Sequence, residues 1–278
     1  MSDWRFLLSR RWAGYLALTV VFAIVCALLG TWQLNRRAEA LTEVSRIDAN
    51  YDADPVPITE ALPAIDGFDE DLKWLPVAVS GEWMPEAEVL VRNRPYSGAT
   101  GYEVITPFRL DDGTVFMIDR GWISAPVGGG EVDVPGVPDG RVEVAARLKA
   151  GEDVIAGRSS SGDLLATIDL DELADRVDAP SYTGAYGLLV QSGAEANEPP
   201  LPATRPVRDE GPHLSYAFQW FVFALMAFVG LGWAARQERK SLAFDDDDAA
   251  EAPEPQPRPR RRGPSDAEVE DGILDGTH

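Results

Sequence analysis

The stretch WAGYLALTVVFAIVCALLGTWQL, residues 12–34, runs without a single charged side chain. At 1.5 Å per residue it makes about 34 Å of helix, enough to cross a hydrocarbon core of about 30 Å with slight tilt. A second uncharged stretch, LSYAFQWFVFALMAFVGLGWAA at residues 214–235, meets the same requirement. Together they predict an α+β membrane protein in which two transmembrane helices, set in a lipid bilayer, flank an antiparallel β-rich extracytoplasmic domain with one or two short helices. The expected segments are a cytoplasmic N-terminus over residues 1–11, a first span over 12–34, the β-rich domain over 35–213, a second span over 214–235 and a cytoplasmic disordered tail over 236–278. A cleaved signal peptide is the competing reading of the first stretch, because Arg5, Arg10 and Arg11 precede it. The stretch is longer than the roughly 7–15 apolar residues of such a peptide, and Gly30-Thr31-Trp32-Gln33 lacks a small-x-small cleavage pattern.

Basic residues set the orientation. Arg5, Arg10 and Arg11 precede the first span and Arg36 and Arg37 follow it, while Arg236, Arg239 and Lys240 follow the second against Arg205 and Arg208 before it. The bias places both termini in the cytoplasm and the central domain outside the cell membrane. The formal net charge is −21, and between the spans acidic residues outnumber basic ones by about two to one, which argues against a nucleic-acid partner. Cys26 is the only cysteine and falls inside the first span, so neither an intrachain disulfide nor a cysteine metal cluster is available.

Between the spans, short runs of branched and aromatic residues alternate with Gly, Pro, Asn and Asp. Strands are expected over residues 72–79, 88–92, 102–110, 114–123, 141–148 and 186–191, with Asp111-Asp112-Gly113 as a hairpin turn. Asp169-Leu170-Asp171-Glu172 reads as the capped start of a short helix whose apolar face carries Leu170, Leu173, Ala174 and Val177. Residues 127–140, rich in Gly and Pro, and 241–278 are expected to be disordered. Within the tail, Arg258 and Arg260 to Arg262 suit anionic headgroups, but neighbouring acids blunt the attraction.

The residue types that common catalysis needs are scarce. His278 is the last residue, which leaves His213 as the only ordered histidine candidate, and no phosphate loop, His-Glu-x-x-His or Gly-x-Ser-x-Gly occurs. An enzyme is therefore not expected. The outer ends of the spans are richer: Trp32, Gln33 and Arg36 leave the first, and His213, Tyr216, Gln219 and Trp220 enter the second. His213, Tyr216 and Trp220 share a helical face by their spacing of three and seven. These residues form the candidate cofactor-binding set. An aromatic belt for the tryptophans and tyrosine, and an interhelical hydrogen bond for Gln219, are the structural alternatives.

Gly30-Thr31-Trp32-Gln33-Leu34-Asn35-Arg36, Gly81-Glu82-Trp83-Met84-Pro85, Arg92-Asn93-Arg94-Pro95 and Gly101-Tyr102-Glu103-Val104-Ile105-Thr106-Pro107-Phe108 follow one another in order. Asp119-Arg120-Gly121-Trp122-Ile123 and His213-Leu214-Ser215-Tyr216-Ala217-Phe218-Gln219-Trp220 complete the series. In these motifs the chain closely resembles the Surfeit locus protein one family, the assembly factors of haem-copper cytochrome c oxidase. It departs from the family at Ala40, where a Lys is common. The resemblance implies a part in maturing oxidase subunit one, with haem a as a ligand. Given a haem, His213 is the candidate metal ligand, because haem iron takes imidazole. An interfacial histidine after Pro212 also suits a cap on the first helical turn, so both roles stand open. Three functions compete: an assembly factor, a permanent accessory subunit of a respiratory complex, and a cell-envelope enzyme. Arg94 and Arg120 are expected at strand ends, pairing either with a domain acid or with an outside group. Trp83 and Trp122 are expected to be mostly core.

Overall fold

No proline interrupts residues 10–50, and Glu, Ala, Leu and Arg continue the helical pattern after the apolar stretch, so the first helix does not stop where the apolar run stops. In the computed structural model, which describes residues 4–126, 128, 130, 132–190 and 198–251, α1 runs from Arg10 to Asn50. Pro55 lies just beyond its end, where the residue before a proline disfavours helix. The chain forms two compact units, one from the first part of α1 and most of the last helix, the other from residues 32–215.

In the first unit small residues let the helices touch. A Cβ on Gly30 would lie 2.7 Å from Phe221 Cζ, and Cys26 and Ala217 are fully buried. Most other side chains, among them Leu18, Leu28, Phe218 and Trp233, are exposed. Both helices are long and apolar enough to cross a membrane.

The second unit is built on strands. In chain order these are β1 (Val56–Pro57), β2 (Pro76–Trp83), β3 (Val89–Tyr96), β4 (Ala99–Leu110), β5 (Val115–Ser124), β6 (Arg141–Ala150), β7 (Leu164–Leu165) and β8 (Ala185–Leu189), with α2 (Ile58–Ala61) after β1 and α3 (Leu170–Ala174) before β8. β2, β6, β8, β5 and β4 neighbour one another in turn, and β2 pairs back onto β4, which closes a five-stranded barrel. Val77, Val79, Phe108, Leu110, Phe116, Ile118, Ala146, Leu148 and Ala185 come from all five barrel strands and form one apolar cluster, which therefore fills the barrel. Val115 and Met117, on the alternate face of β5, join a second cluster with Ile47, Trp74, Ile105, Leu173 and Tyr186. β5 is thus buried on both faces, which is why Val115-Phe116-Met117-Ile118 reads as an unbroken apolar run rather than an alternating one.

Local chemistry fixes the turns. Ser97 and Gly98 both take positive φ, 48° and 86°, in the tight connection from β3 to β4. Gly113 does the same at 87° beyond β4, where the Asp112 carboxylate accepts the Thr114 N–H at 2.9 Å. Asp169 caps α3 by accepting the Asp171 and Glu172 N–H groups.

Four expectations change. The sheet is mixed, not antiparallel: β1–β2, β3–β7 and β5–β8 are parallel, and a long crossover between β5 and β8 makes that possible. β1 and β7, two residues each, are too short to leave a periodic signal. The last helix, α4, runs from His213 to Glu251, so residues 236–251 are helical where disorder was expected. Extending a formed helix costs little per residue, and Pro253 is the first breaker. Residues 252–278 lie outside the described residues, as do Val127, Gly129 and Glu131 of the Gly/Pro stretch and Gln191 of the last expected strand. The described remainder of that stretch is held in place, because Arg120 donates to the carbonyls of Pro135 and Gly136 at 2.6 and 3.0 Å.

Candidate functional site

The segment from Leu201 to Pro212 leaves the barrel in an extended conformation and lies along the second half of α1. It is anchored at one end by a backbone pair in which Trp122 and Leu201 exchange N–H···O bonds of 2.7 Å. Its charged residues then meet α1 in reverse order. Arg205 grips Asp52 at 3.0 and 2.5 Å, Arg208 Nε lies 2.6 Å from Asp48, and Glu210 pairs with Arg37 at 2.8 Å. At the top His213 Nδ1 lies 2.8 Å from Gln33 Oε1. The spacing is self-consistent. From Asp52, two residues past the end of α1, back to Gln33 is about 28 Å at the helical rise, and the eight residues from Arg205 to His213 can reach at most about 26 Å.

The Gln33 amide oxygen only accepts, so Nδ1 is the donor in this contact. Gly211 makes room for the ring: its φ is 69°, and a Cβ there would stand 3.1 Å from Nε2 and Cδ2 of His213. An Asx turn sets that bend, with the Gly211 N–H donating to Asp209 at 2.8 Å.

Of the sequence-derived set, the structure therefore brings Gln33 and His213 together. Arg36 is turned away and pairs with Glu39 on its own helix at 2.7 Å; it is Arg37, one turn after Gln33, that faces the segment. Their i, i+4 spacing puts Gln33 and Arg37 on one face of α1. Trp32 is half exposed. Tyr216, Gln219 and Trp220 belong to the other unit, where Tyr216 is half exposed and Trp220 packs edge-on against Phe223 at 5.9 Å. Among the described residues no group of three or more His, Cys, Asp or Glu side chains is arranged to hold a metal ion.

Arg94 and Arg120 both find partners inside the domain. Arg94 grips Glu152 at 2.9 and 2.5 Å, and its Nε lies 2.9 Å from Glu103. Arg120 pairs with Glu88 at 2.6 Å, whose carboxylate also accepts the Thr106 hydroxyl. Burial opposes the charge on Arg94, but Glu152 and Glu103 outweigh it and raise its pKa. Burial also lifts Glu103, against the pull of Arg94. Asp119, wholly buried beside them, is pushed up to about 8, first by burial and then by the Glu103 charge. Sequence reasoning missed Asp119: a lone acid inside the apolar run of β5 was its only signal. Trp122 is buried as expected, stacks on Tyr96 at 5.1 Å and donates its indole N–H to Arg94 O. Trp83 is half-buried, edge-on to Phe108 at 4.9 Å.

The profile of the SURF1 family matches residues 20–225, well over half of the chain. The chain belongs to the SURF1 family. A Mycobacterium tuberculosis protein named as an uncharacterised SURF1-like protein is 30% identical over 240 residues, covering 84% of this chain and 86% of the relative. Surfeit locus protein 1 of Xenopus tropicalis is 23% identical over 244 residues, 80% of this chain and 76% of its own length. A shorter match, 30% over 119 residues, joins 42% of this chain to 30% of the yeast Saccharomyces cerevisiae protein named cytochrome oxidase assembly protein SHY1. The matched span holds both Gln33 and His213 and every barrel strand.

Proposed function

We propose that this SURF1 family member is an assembly factor for haem-copper cytochrome c oxidase, acting on subunit one rather than catalysing a reaction. The name of the yeast relative supports the oxidase. Two helices able to cross a bilayer support a membrane-anchored protein, with α1 and α4 spanning the cell membrane, both termini cytoplasmic and the barrel outside. Subunit one as the client and haem a as the ligand belong to the same reading.

The observation that carries the haem part is the His213–Gln33 contact. A metal-binding histidine characteristically donates its second ring N–H to a fixed acceptor, which settles the tautomer and aims the free nitrogen. Gln33 does this to Nδ1, so Nε2 is left to bind iron, and the residues present fit a haem in that respect. Haem a, when bound, supplies the redox-active iron that the oxidase needs. Trp32 and Arg36, which flank Gln33 on α1, belong to the same reading.

Deleting the gene should lower oxidase activity and haem a content together. An unchanged oxidase would return the envelope-enzyme reading. Co-purification then separates a transient factor, enriched on immature subunit one, from a permanent subunit present in equal amount in mature oxidase. His213→Ala should lose the haem absorption bands of the purified protein, and Gln33→Leu should shift them while retaining partial occupancy. Equal occupancy and unshifted bands in His213→Ala would remove His213 from the site. Topology is checked by labelling Ser161→Cys and Ser265→Cys in a Cys26→Ser background. Labelling of Ser265→Cys from outside intact cells would reverse the assignment.

A further inference from the structure

Beside the extended segment, Glu103, Asp119, Lys149 and the rings of Trp74, Tyr96 and Trp122 line a cavity of about 290 Å³. Asp119 is 2% exposed. Its one described hydrogen bond comes from the Gly121 N–H at 2.8 Å and occupies one carboxylate oxygen. The other oxygen has no partner among the described residues. Around it β3 contributes Arg94, β4 Glu103, β6 Lys149, the chain after β6 Glu152, and β8 the Tyr186 hydroxyl, which is buried without a hydrogen-bond partner among the described residues. Arg94 is held by Glu152 and Glu103, and Lys149 Nζ stands 5.7 Å from the Tyr186 ring centroid. Three carboxyls thus share two cations. Buried this deeply, a surplus negative charge is costly unless something compensates it. At neutral pH a proton on Asp119 removes it, as the upward shift to about 8 indicates. A positively charged group entering the cavity would remove it equally well, and aromatic faces are the walls such a group prefers.

We propose that this cavity binds an organic cation, an alkylammonium or guanidinium group, which pairs with the Asp119 carboxylate. The proton leaves the carboxyl oxygen for solvent, and the N–H of the cation donates to that oxygen in its place; no covalent bond of the ligand changes. The walls are set before the ligand arrives. Trp74 holds an uncommon backbone φ of 73°, and its indole N–H is fixed to Glu43 at 2.9 Å. Trp122 is fixed to Arg94 O and stacked on Tyr96. Rings already in place lose little freedom on binding. The volume suits a single lysine- or arginine-sized group, delivered either on a partner polypeptide or as a free amine. None of the residues around His213 lines this cavity.

The test is isothermal titration of the full chain in detergent, at pH 6 and pH 7 and in two buffers of different ionisation heat. The probes are butylammonium, N-acetyl-arginine amide and its neutral isostere N-acetyl-citrulline amide. The expected result is saturable binding of at least one charged probe, release of close to one proton, and about tenfold tighter binding at pH 7 than at pH 6. The citrulline probe should bind at least tenfold more weakly, and Asp119→Asn should lose both affinity and pH dependence. Stronger binding of the arginine probe supports a polypeptide source, and stronger binding of butylammonium a free amine. Absence of saturable binding by either charged probe, equal binding of citrulline, or pH-independent binding in the wild type would overturn the proposal. Those three are read on the wild type, so a poorly folded variant does not leave the question open. Oxidase assembly is not part of the readout, and the two proposals can fail separately.

Discussion

Arg94 and Arg205 make the same contact in different surroundings. Each sets two terminal nitrogens against the two oxygens of one carboxylate, Arg94 on Glu152 at 2.9 and 2.5 Å and Arg205 on Asp52 at 3.0 and 2.5 Å. The Arg94 and Glu152 side chains are 19% and 26% exposed, the Arg205 and Asp52 side chains 50% and 67%. Water competes for the second pair and is largely excluded from the first. The same geometry therefore anchors a buried network in one place and only steers an extended segment in the other.

The sharpest way to break that comparison is to remove the arginines in turn. Arg94→Ala leaves Glu103 and Glu152 buried without their cation and should destabilise the domain by about 3–5 kcal/mol, read by denaturant unfolding of the detergent-solubilised protein. Arg94→Lys should recover only part of this, because an ammonium cannot span both carboxylate oxygens.

Asp119 predicts an effect of opposite sign that depends on pH. Its folded pKa lies above its ordinary carboxylate value, so the folded state holds a proton that the unfolded chain releases. Stability then falls as pH rises from about 4 towards 8, by up to roughly tenfold in the folding equilibrium per pH unit from this group alone. Asp119→Asn, neutral at every pH, should flatten that slope and melt higher than wild type at pH 7.5, with the difference shrinking towards pH 5. A variant whose pH profile parallels wild type would show that Asp119 is ionised in the fold.

The smallest effect is expected at the exposed pair. Arg205→Ala should leave the melting temperature within error of wild type at physiological salt, because screening has already weakened the contact. A loss as large as that of Arg94→Ala would end the distinction between the two networks.

Much of this architecture was legible because it rests on local patterns. The uncharged runs, the Asp112-Gly113 turn, the Asp169 cap and six of the eight strands each carry their signal within a few residues. β1 and β7 carry none, since two-residue strands exist only through their partners. The parallel β5–β8 pairing was equally hidden, because pairing direction depends on where a distant strand returns. In the candidate set His213 and Gln33, chosen from their level at the span ends, lie in contact, whereas Arg36 turns to Glu39 and its neighbour Arg37 meets Glu210. A one-residue step rotates a helical side chain by about 100°, and only the position of the facing segment says which of two adjacent arginines is turned towards it.

The sequence by itself determined that this chain carries two membrane-length apolar helices around an acidic, strand-rich domain, and it pointed to the family. Hydrophobic length and alternation are properties of consecutive residues and need no partner. The tertiary structure decided that the strands close into a barrel, that residues 201–212 run back along α1, and that three carboxyls meet two cations beside Asp119. Those residues lie tens of positions apart in the chain. Burial, charge balance and the state of a proton are set by what the fold brings within a few ångströms, where low dielectric makes each neighbour count.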